Sequence, residues 1–138
     1  MIDASRRVQA FGFEHWIISP IRPPPSSPSW PSSPRSTSLF GAGGRDTISV
    51  AEEEDKVSGG GGRDTISGGT EEDELSGGNG NDTIVGGPDP DLLSGGAGRD
   101  TINARDGVRD TVECGAGVDL ARVDRFDVVS GCEQVNRR

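Results

Sequence analysis

The chain has 138 residues and carries 23 acidic against 14 basic side chains, a net charge of −9. That balance argues against nucleic acid or an anionic membrane as partner, and for cations. A single histidine and two cysteines leave no Ser/His/Asp or Cys/His constellation and no HExxH motif, so nothing in the chain points to an enzyme.

The first forty residues stand apart. Met1 to Ile18 contains Phe11, Phe13 and Trp16, but Glu14 and His15 interrupt it, so it lacks the continuous apolar stretch of a signal peptide or a membrane span. Seven prolines between Pro20 and Pro34 make the next stretch an extended linker. Its PxxP spacings would also suit a polyproline-binding domain. His15 has no companion ligands and reads as a surface histidine. Residues 1–40 are therefore expected to form a disordered N-terminal segment.

From Gly41 a nine-residue unit takes over, with Asp at its sixth place and an aliphatic residue at its eighth. GAGGRDTIS, GGGGRDTIS, GGNGNDTIV and GGAGRDTIN are its clearest copies, and VAEEEDKVS, GGTEEDELS and GGPDPDLLS lie between them. Such a period predicts a solenoid of short units, each burying its apolar residue against its neighbours. The motif resembles the hemolysin-type (RTX) calcium-binding repeat, GGxGxDxUx. The resemblance implies an all-β fold, a right-handed parallel β-roll with two repeats per turn and calcium held between successive turns. It places the roll at 41–130 and a C-terminal cap or tail at 131–138. It also implies an extracellular, secreted protein whose partners are calcium ions; with no catalytic constellation beside the repeats and only a small core, the chain is expected to be a non-enzymatic module that folds on binding them. An alternative is the C-terminal fragment of a larger secreted enzyme, toxin or adhesin; no other protein or glycan partner can be named.

The residues fit that chemistry. Calcium is a hard cation that takes six to eight oxygens, from carboxylates and from carbonyls turned inward by a tight loop. Glycine permits such loops because it enters positive φ without a Cβ clash. With two units per turn, residues eighteen apart share a side. One ladder of candidate ligands is Asp46, Asp64, Asp82, Asp100 and, after a one-residue insertion, Asp119. Its loop backbone is supplied by Gly41, Gly43, Gly44, Gly59, Gly61, Gly62, Gly77, Gly78, Gly80, Gly95, Gly96 and Gly98. The other ladder is Asp55, Asp73, Asp91, Asp110 and Asp127, but Glu53, Glu71 and Asp89 occupy its fourth place. Either these acids replace carbonyl ligands, or the loops have decayed into a solvated acidic edge. The poor fit of Glu to positive φ and the restriction from Pro88 and Pro90 favour decay or weak binding.

The inward aliphatic columns are Ile48, Ile66, Ile84, Ile102 and Ala121 on one side, and Val57, Leu75, Leu93, Val112 and Val129 on the other. Stacked acids oppose this thin core: 41–130 holds 20 acidic and 8 basic residues. Without metal the expected state is a disordered acidic tract. Cys114 and Cys132 lie eighteen apart, one turn of the roll, which would bring their Cα atoms to about 5 Å, within disulfide range; two free buried thiols are the alternative. Phe126 and Val135 could cover the open C-terminal end. Thr47, Thr65, Thr83 and Thr101 form an outward column, as some ice-binding solenoids have, although Thr is common on solvent-facing strands.

Overall fold

The computed structural model describes residues 36–138 and the backbone of Ser5–Gln9. The expected linker, His15 and both tryptophans lie outside the described residues. Among those described there is no helix, and every strand pairing is parallel, in a β-solenoid of about six turns. One sheet stacks β1 (Ser5–Gln9), β3 (Arg45–Ser49), β5 (Thr65–Ser67), β7 (Thr83–Val85), β9 (Thr101–Ala104), β11 (Leu120–Val123) and β13 (Gln134–Arg137) in that order. The facing sheet stacks β2 (Ser38–Phe40), β4 (Lys56–Gly61), β6 (Glu74–Asn79), β8 (Leu92–Gly98), β10 (Thr111–Gly117) and β12 (Val128–Ser130).

The chain crosses from one sheet to the other every nine residues, because each unit has one short β-former run after a glycine-bearing or acidic turn. Register follows the repeat: Ile48 pairs with Ile66, Ile66 with Ile84 and Ile84 with Ile102, each eighteen residues on. The extra residue falls in the loop from Ala104 to Asp110, since Leu93 pairs with Val112 nineteen residues on. That loop swells, and the strands beyond it stay in register.

Both aliphatic columns are buried as expected, apart from Val129, which is only partly buried at the end of its stack. The core also takes in Leu39, Val50, Ala104, Cys114 and Val123. All but Leu39 stand at the first place of a unit, where most units have glycine, so the corners of the roll add to the core as well as its flat sides. The outward threonines form the expected column, paired in register from Thr47 to Thr101.

Three features depart from the sequence reading. Ser5–Gln9 pairs with β3, and Ser38–Phe40 pairs with β4, so parts of the first forty residues belong to the roll. A parallel edge needs only a backbone to pair with, and these segments precede Gly41, where the repeat motif begins. At the other end Val135 continues the isoleucine column beside Ala121, but Phe126 is 52% exposed, with the Arg125 guanidinium 4.8 Å from its ring centre. A cation thus lies over its half-exposed ring.

Candidate metal-binding edges

Asp at the sixth place and the aliphatic residue at the eighth are two apart on a strand, and so share a face. The structure bears this out: the aspartates of both ladders point inward and are buried. From Asp64 on one edge and Asp73 on the other, each uses Oδ1 to accept the main-chain N–H of the aspartate one turn earlier, and Asp55 accepts that of Thr37 at 2.8 Å. On the glycine edge, Asp46 donates to Asp64 and Asp64 to Asp82 at 2.8 Å, Asp82 to Asp100 at 2.8 Å, and Asp100 to Asp119 at 2.7 Å. On the acidic edge the same bond runs from Asp55 to Asp73, Asp73 to Asp91 and Asp91 to Asp110 at 2.9 Å. The carboxylates therefore staple the turns as well as charging them, a role the sequence reading missed, although the two-residue spacing from the buried aliphatic was its signal.

The second oxygen is the unusual one. In Asp73, Asp82, Asp91, Asp100, Asp110 and Asp119, Oδ2 is buried without a hydrogen-bond partner. Buried acceptors of this kind are costly, and charged ones more so. Burial pushes Asp73 and Asp110 up to about 7, and Asp82 and Asp91 up to about 6; Asp100 is raised as well. Neighbouring carboxylates add to each shift, Asp91 and Asp55 around Asp73 for example, and the backbone hydrogen bond opposes it. These are columns of anions short of positive charge.

The loops outside them are tightly stacked. A Cβ on Gly95 would lie 2.6 Å from Oδ2 of Asp100, so the first-place glycine gives its carboxylate room. Gly78 and Gly80 both adopt positive φ, 103° and 128°, which lets successive peptide groups face opposite ways within one loop. Loops bond turn to turn, Gly62 N–H to Asn79 O and Gly80 N–H to Ala97 O, both at 2.7 Å. Of the glycines proposed from sequence, Gly43 and Gly61 carry no such demand: both lie in a backbone bridge to each other, and a Cβ on Gly43 would meet nothing within 4 Å.

The model for the RTX calcium-binding nonapeptide repeat (4 copies) matches residues 40–75 and 76–108. The chain belongs to this family. Searches of curated proteins and of solved structures return no match. The RTX family is a binding module, and its ion is calcium. Among the described residues no three His, Cys, Asp or Glu side chains converge as a metal cage, so an ion on an RTX loop of this chain would need main-chain carbonyls beside the aspartates. The donor chemistry fits: hard, anionic oxygens without partners stand behind glycine-rich turns on one edge.

The acidic RTX edge differs less than its sequence suggested. Glu53 and Glu71 adopt φ of 86° and 77°, so they take the left-handed conformation of the glycines they replace. Glu is poorly suited to that conformation, and stacking between turns fixes the loop against the residue's own preference. At Asp89 the side chain does a carbonyl's work: its Oδ2 accepts Glu71 N–H at 2.9 Å, as Asn79 O does for Gly62 on the other edge. Cys114 and Cys132 form the disulfide, with Cα atoms 5.0 Å apart. No helix among the described residues is long and apolar enough to cross a membrane.

Proposed function

We propose that this chain is a secreted, non-enzymatic module that binds calcium ions between the loops of successive turns and orders its roll on doing so. The observation that carries the reading is the set of buried Oδ2 atoms without partners, from Asp73 to Asp119. A divalent ion supplies the charge these columns lack, and binding to the folded state alone adds its free energy to folding. Asp46, Asp64, Asp82, Asp100 and Asp119 are the principal ligands proposed, with Asp55, Asp73, Asp91 and Asp110 on the weaker edge. The Cys114–Cys132 bridge supports an oxidising, extracellular setting.

Far-UV circular dichroism of the purified chain tests this directly. Millimolar calcium is expected to bring up the β signal and EDTA to remove it. Full β structure retained in EDTA would refute the coupling. Tryptophan fluorescence is a poor reporter, since Trp16 and Trp30 lie outside the repeats.

A further inference from the structure

The last loop of the acidic edge, Asp124 to Asp127, is built differently from those before it. Asp127 has both carboxylate oxygens engaged: Oδ1 accepts Asp110 N–H at 3.0 Å and Oδ2 accepts Asp124 N–H at 2.6 Å. Asp73, Asp91 and Asp110, in the same column, leave Oδ2 without a hydrogen-bond partner. Beside this loop three main-chain carbonyls converge on one nitrogen. Arg137 Nη1 donates to Asp124 O at 3.2 Å, Arg125 O at 3.3 Å and Asp127 O at 3.2 Å. A guanidinium Nη1 has two hydrogens for these three acceptors, so at least one N–H is shared between two carbonyls, and the positive charge adds its attraction to all three carbonyl dipoles. Oxygen donors gathered around a positive charge are what a hard cation also requires. Arg105 Nη2 holds the same strand, donating to Asn136 O at 3.0 Å and Oδ1 at 3.1 Å.

We propose that Arg137 is the terminal cation of the acidic edge: its tethered guanidinium occupies the carbonyl cluster of the last loop, in the role an ion has between two full loops. The last coil is then fixed by the chain's own charge, without metal. The likeness to an ion rests on the calcium reading above; the cationic role of Arg137 does not.

Hydrogen exchange on the full chain in saturating calcium tests it, comparing wild type, Arg137→Gln and Arg137→Lys, with millimolar methylguanidinium added to the Gln variant. Losing a charged hydrogen-bond donor should speed exchange at residues 124–128 about tenfold or more, with β4 to β8 unchanged. Correction of that loosening by Lys or by methylguanidinium supports the proposal. Unchanged exchange in the Gln variant, or loosening that neither corrects, would overturn it and leave Arg137 as packing only. A wild type exchanging equally in EDTA would count against calcium-coupled folding and leave the Arg137 comparison readable in either buffer.

Discussion

At the scale of single residues, the same amino acid has different value at different places of the repeat. Gly80 holds φ of 128° with its loop packed on Gly62, so Gly80→Ala imposes both backbone strain and a clash. Positive-φ strain alone costs about 1–3 kcal/mol, and Gly80→Ala is expected to lower stability by at least that much. Gly43→Ala, with open space around it, should change stability by less than about 0.5 kcal/mol. Calcium-saturated urea melts of the two variants decide this, and equal losses would show that the loops are looser than their geometry. The raised aspartates fix a pH dependence. Asp73, Asp82, Asp91 and Asp110 titrate at about 6 to 7 in the fold, above their ordinary value, so between about pH 4 and 7 the folded chain holds more protons than the unfolded one. This contribution is present below the unfolded value and is lost as pH rises through the folded values. In EDTA the residual β signal by far-UV circular dichroism should therefore be larger at about pH 5.5 than at about pH 8. A metal-free β signal that rose over that range would contradict it.

At the scale of elements, the two edges share one aspartate column design and differ in what surrounds it. On the glycine edge the loop acceptors are carbonyls, Asn79 O and Ala97 O; on the acidic edge Asp89 lends a carboxylate to the loop itself. Each aspartate lies between two loops, so Asp82→Ala is expected to remove about two bound calcium ions. Asp73→Ala, flanked by Glu71, Glu72 and Asp89, should cost less calcium. Equilibrium dialysis at saturating calcium measures both, and equal losses would show that the edges bind alike.

For the whole molecule, a solenoid has open ends, and stability passes only between neighbouring coils. The C-terminal end is held covalently by Cys114–Cys132, and by Glu133, whose Oε2 accepts Asp119 N–H at 3.0 Å. Loop-closure entropy makes a bridge of this span worth about 3 kcal/mol. The double Cys→Ser variant is thus expected to bind calcium along the glycine edge but to need a higher concentration to fold. Calcium titrations by circular dichroism on oxidised wild type and variant check it; superimposable curves would remove the disulfide from the stability of the roll.

The repeat by itself determined the architecture. A nine-residue period with one aliphatic residue per unit admits few other ways to bury that residue, so the two sheets, the eighteen-residue register and both aliphatic columns were legible, as was the Cys114–Cys132 pairing. Contacts in a solenoid join equivalent places of adjacent coils, and equivalence is a property that sequence displays. What lacked a period needed the tertiary structure. Glu53 and Glu71 were forced into a left-handed backbone by the turns stacked on them, the extra residue was placed between Ala104 and Asp110, and Ser5–Gln9 was paired to β3 with no repeat to announce it. The meeting of Arg137 with the carbonyls of Asp124, Arg125 and Asp127 likewise depends on how the last coil closes, because no spacing rule ties a tail arginine to backbone oxygens ten or more residues earlier.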